Sequence, residues 1–166
     1  MKPLLILLVL GLVSIFSLPA AETRPLPSVF IRLDDIQGLF GGQSLVVVTD
    51  GHLYARKVLP RKDGGMSEAR FQIKLTEEQV AELRTLIRSS GIADYKESKR
   101  YGIPDEARPR ITITEPGRKR IEVEKWANTK DARFDVLYNR LLEWVEKAAK
   151  TKPYRKKDYD PRASFP

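Results

Sequence analysis

The feature that most constrains the fold is a series of short runs in which apolar residues recur at every second position, joined by dipeptides that favour tight turns. In VFIRL, residues 29–33, Val29, Ile31 and Leu33 fall on one face of an extended strand. SLVVVTDGHLYARKV sets Asp50 and Gly51 between two apolar runs, which predicts a type I′ hairpin turn with positive φ at both central residues. ARFQIKL alternates Phe71, Ile73 and Leu75 with Arg70, Gln72 and Lys74. In RITITEPGRKRIEVE, Pro116 and Gly117 fit the centre of a type II turn, and Ile111, Ile113, Ile121 and Val123 supply a buried face. Strands joined by so few residues pair antiparallel, because a parallel partner needs a long crossover.

Two helices are written as clearly. LTEEQV offers Thr76 as N-cap, Gln79 to close a capping box, and Leu75 with Val80 as a hydrophobic staple. Val80, Leu83, Leu86 and Ile87 form the apolar stripe, and Gly91 ends the helix in a left-handed cap. In a second helix from about Asp131 to Lys147, Phe134, Leu137, Leu141, Trp144 and Val145 share a stripe that Ala148 continues. Together the elements predict an α+β fold: a largely antiparallel sheet of about six strands in hairpins, with two amphipathic helices packed on one face.

Three segments are expected. Residues 1–21 read as a signal peptide, with Lys2 before an apolar run from Leu4 to Phe16 and the small residues of SLPAA after it. The run is short of the roughly 20 residues that span a bilayer. Residues 22–150 form a single domain, and 151–166 a flexible basic tail with too few apolar residues to offset its ordering entropy. Export would place the protein in a periplasm or outside the cell. The chain has no cysteine, so neither a lipid anchor nor a disulfide is expected. The net charge is +8, and the stretch from Lys150 onward holds six basic residues against two acidic ones.

The inventory for catalysis is thin. His52, the one histidine, follows the Asp50-Gly51 turn and reads as a solvent-facing hairpin residue. Asp34 and Asp35 point to opposite faces of a strand and do not make a carboxylate pair. Neither a catalytic constellation, a metal site nor a cofactor is expected, and GLFGG lacks the spacing and ending of a phosphate loop. Nucleic-acid binding is not expected either, because the body has no basic groove with interleaved aromatics.

Two candidate sites remain. In GLFGG, Gly38, Leu39, Phe40, Gly41 and Gly42 set two large apolar side chains on a pliable stretch, either as a loop tucked over the sheet end or as a finger for a partner. Lys152, Arg155, Lys156 and Lys157 in the tail could meet an anionic polymer or lipid surface. The order of elements, with a glycine-rich segment carrying Phe after the first strand, then LTEEQVAELRTLIRSSGI, RITITEPGRKRIEVE and a closing amphipathic helix, resembles the emfourin-like family of proteinaceous inhibitors of protealysin, a thermolysin-like metallopeptidase. The likeness covers most of residues 28–146, although the family loop tends to read G-G-F-x-G. It implies a small exported binding module whose loops engage a peptidase and which has no chemistry of its own. The alternative is an envelope-associated module held by the basic tail.

Overall fold

The computed structural model of the chain describes residues 28–97, 103 and 105–165. The signal peptide expected over 1–21 lies outside the described residues. Among the described residues seven strands form one antiparallel sheet: β1 (Val29–Gln37), β2 (Gly41–Val48), β3 (His52–Pro60), β4 (Met66–Lys74), β5 (Arg110–Ile113), β6 (Ile121–Glu124) and β7 (Arg155–Asp158). Their order across the sheet is β6-β5-β1-β2-β3-β4-β7. The first four strands follow one another as a meander. The second hairpin, β5–β6, adds to the free edge of β1, and β7 adds to the free edge of β4.

Helices α1 (Glu77–Ser90) and α2 (Ala132–Ala149) lie on one face. The start of α1 is the capping box read from the sequence: the Gln79 amide donates to Thr76 Oγ1 at 3.3 Å, and the Thr76 amide donates to Gln79 Oε1 at 3.0 Å. Gly91 ends it in the left-handed region, with φ 71°. Asp131 caps α2 by accepting from the Arg133 amide. The predicted stripe of α2, from Phe134 to Ala148, is the buried one, and it packs with Ile31, Leu33, Leu45, Val47, Leu53, Phe71 and Ile111 in a single core. Each such aliphatic or aromatic side chain contributes about 1.5–3 kcal/mol on leaving water.

Two local expectations change. Asp50 does not take positive φ; only Gly51 does, at 86°, after a turn closed by the Gly51 amide on the Val48 carbonyl at 2.9 Å. A third loop residue thus replaces the two-residue type I′ form, and the glycine alone absorbs the left-handed conformation. A register shift between Val29 and Ile31 breaks the alternation of β1, so Phe30 and Ile31 are both fully buried in the core. The Arg84 guanidinium from α1 caps the Phe30 ring at 4.4 Å.

The largest correction concerns 151–166. It is no flexible tail on a separate domain: β7 pairs with β4 from Ser67↔Asp158 to Arg70↔Arg155, and Phe165 is buried on the sheet face away from the helices. The reading from composition counted apolar residues, whereas an edge strand is held first by backbone hydrogen bonds. One aromatic anchor then suffices to bring the chain back across the sheet.

Candidate functional site

Gln37 pairs with Gly41, so Gly38, Leu39 and Phe40 form the tip of the β1–β2 hairpin. Leu39 is 73% exposed and Phe40 63%, which places both side chains in solvent and not over the sheet end. The loop projects from the sheet as an exposed hairpin tip. Leu59, also exposed, lies at the same end of the sheet, since Val58 pairs with Gly42. A shallow depression beside the tip is lined by residues 37–40 together with Asp105 and Glu106.

The glycines serve the root of the finger. A Cβ on Gly41 would stand 2.2 Å from the Val58 carbonyl oxygen, and one on Gly42 2.1 Å from that of Asp35. Their φ values, 78° and 135°, are also ones that side chains resist. Gly38 meets nothing. Two glycines therefore let neighbouring backbones close up at the base, and the apolar pair is projected from a stiff ladder.

The four tail cations do not form one patch. Strand alternation sends Arg155 and Lys157 to the face away from the helices, where Lys157 Nζ lies 3.5 Å from Glu68 Oε1. Lys156 points to the other side, although a groove of about 500 Å³ at this edge of the sheet is lined by both Lys156 and Lys157 together with Lys57, Leu59, Arg61 and Glu68. Lys152 is exposed in the joint between α2 and β7.

Asp34 and Asp35 do point to opposite faces. Asp35 accepts from the Tyr138 hydroxyl of α2 at 2.5 Å, and burial together with that bond raises the phenol pKa above its ordinary range. Asp34 sits on the other face, where burial raises its pKa against the opposing pull of Arg32, Arg56 and Arg110.

His52 is partly exposed at the hairpin end and is bonded to Asp50. Its Nδ1 lies 2.9 Å from Asp50 Oδ2 and its amide donates to Asp50 Oδ1, bonds that hold the carboxyl below its usual pKa. The aspartate two residues before was the signal for this pairing. The dyad lies at the sheet end opposite the finger, and among the described residues no hydroxyl bonds the ring.

Sequence reading also missed a buried charge network on the face away from the helices. Glu68, Arg56 and Arg70 are 2%, 7% and 5% exposed. Arg70 Nε donates to Glu68 Oε1 at 2.8 Å, Arg56 Nη1 lies 3.7 Å from Glu68 Oε2, and Arg56 Nε donates to Ser44 Oγ at 3.0 Å. Charged residues alternating with apolar ones look the same whether that face is wet or covered, so the C-terminal cover was the missing information. Among the described residues no cluster of three His, Cys, Asp or Glu side chains could hold a metal ion. Comparison with protein-family models, curated proteins and solved structures finds no match for this chain.

Proposed function

We propose that the protein is an exported, non-enzymatic interaction module that offers the β1–β2 finger to a partner protein, with inhibition of a secreted metallopeptidase as its role. The observation that carries this reading is the exposure of Leu39 and Phe40 on a tip whose root is locked by the close approach at Gly41 and Gly42. An apolar side chain held out by a stiff base loses little entropy on binding, and such anchors dominate interface energies. The resemblance to peptidase inhibitors supplies the class of partner.

The alternative reading, attachment to anionic polymer or lipid through Lys152, Arg155, Lys156 and Lys157, has less support. A patch divided between two sheet faces, with Lys157 beside Glu68, presents a weaker field than a free basic tail.

The test is capture from the source organism's envelope and culture fluid by mature protein and by Phe40→Ala, followed by assay of the captured peptidase. Loss of capture with Phe40→Ala, by roughly thirtyfold or more in affinity, is the expected result for a hot-spot residue. Capture that ignores Phe40 and collapses with added salt would overturn the finger in favour of the charged surface.

A further inference from the structure

The sheet face away from the helices carries a groove that the protein's own C-terminal segment fills. Val46, Val48 and Tyr54 make its floor, and the Phe165 ring rests there with the Arg56 and Arg70 guanidinium carbons 4.6 and 5.5 Å from its centroid. Arg70 Nη1 donates to the Ser164 carbonyl at 3.2 Å, and Arg32 Nη2 to that of Phe165 at 3.3 Å. This is recognition of an extended peptide: two arginines, neighbours across β3 and β4, lie against one aromatic ring while guanidinium donors read the backbone beside it.

The remaining ties are of the same kind. The Tyr154 amide donates to the Arg70 carbonyl and the Tyr159 amide to that of Met66, while Arg61 pairs with Asp158 and Lys157 with Glu68. Every one of these contacts joins the C-terminal segment to a site complete on β1–β4, so the same set forms whichever copy of the chain supplies the segment. β7 has four residues against nine in β4, a short edge strand and hence a cheap one to release. The joint is short as well: 150–154 holds five residues including Pro153, and it reaches at most about 18 Å when extended. In the docked arrangement Glu68 Oε2 is ion-paired with Arg56 Nη1 at 3.7 Å, and neither it nor Arg70 Nη2 has a hydrogen-bond partner among the described residues.

We infer that this groove is a recognition site for an extended basic strand followed by an aromatic residue, and that its occupant in trans is the C-terminal segment of a second copy. Each β7 would add to the β4 of its partner in a closed, two-fold exchange.

Two measurements on the full chain test this. Because the chain has no cysteine, Lys152→Cys can be labelled with donor in one batch and acceptor in another. The mixed batches should show energy transfer that rises with concentration and is abolished by excess peptide of sequence 151–166. A fluorescent form of that peptide should bind full-chain Phe165→Ala at least tenfold more tightly than wild type, whose own segment competes. The peptide carrying Phe165→Ala should bind at least tenfold more weakly. Absence of transfer at any concentration overturns the exchange even if Phe165→Ala fails to fold. Failure of the peptide to bind a folded Phe165→Ala chain overturns the site itself.

Discussion

Substituting the glycines of the finger one at a time separates its root from its tip. Gly42 pairs with Ile36 on one side and Val58 on the other, so any shift there disturbs two ladders. At φ 135° a side chain is strained by about 1–3 kcal/mol. The Cβ of Gly42→Ala would also meet the Asp35 carbonyl oxygen at 2.1 Å, well inside contact, so the strands must part. One lost ladder bond adds about 1 kcal/mol, and the total reaches about 2–4 kcal/mol. Gly41→Ala, at φ 78° and 2.2 Å from the Val58 oxygen, should cost a similar amount. Gly38→Ala meets nothing within 4 Å and should be neutral or stabilising by up to about 1 kcal/mol, through the unfolded chain. Urea denaturation followed by circular dichroism reads all three, with unchanged m-values as the check that the unfolded states match. A Gly42→Ala variant within about 0.5 kcal/mol of wild type would refute the locked root, and with it the stiff finger.

Other substitutions test the rest of the fold. Phe165→Ala should cost about 3 kcal/mol in the same denaturation assay, as the loss of a buried aromatic and not of a free tail would; a cost near zero would show the C-terminal segment to be unanchored. Asp34→Asn should raise stability at neutral pH. Burial raises the Asp34 pKa in the folded state, so its penalty is absent below the ordinary aspartate range and grows as pH rises through that range toward the raised value. The gain from Asp34→Asn should therefore vanish in denaturation series run near pH 3, and a gain that persists there would assign it to packing. Thr76→Ala should cost about 1 kcal/mol through the lost cap, and the smaller cost of Thr76→Ser would identify the hydroxyl as the cause.

The candidate sites were legible to different depths. GLFGG stood out because two bulky residues among glycines have no local reason to be there, but exposure could not be read, since an apolar loop residue looks the same tucked or projecting. The register decided it: Gln37 meets Gly41, which leaves three residues for the tip and no length to fold back. The tail cations were legible as charge and illegible as a surface, because the strand pairing that separates Lys156 from Arg155 and Lys157 is a long-range event. Asp50 and His52 are two residues apart, and a turn that draws two such groups together is visible in sequence only if the turn type is known.

By itself the sequence determined what depends on neighbours along the chain. The capping box at Thr76 and Gln79, the left-handed stop at Gly91, the buried stripe of α2 and the antiparallel pairing of closely joined strands all follow from periods of two or 3.6 residues and from local hydrogen bonds. The tertiary structure alone decided which edges meet: β5 on β1, β7 on β4, and Phe165 against Arg56 and Arg70 on the face away from the helices. Backbone donors and acceptors on a free strand edge are the same for every sequence. Which segment satisfies them is settled by the whole chain competing for the edge, and the side chains that segment brings then determine whether the face is wet or covered.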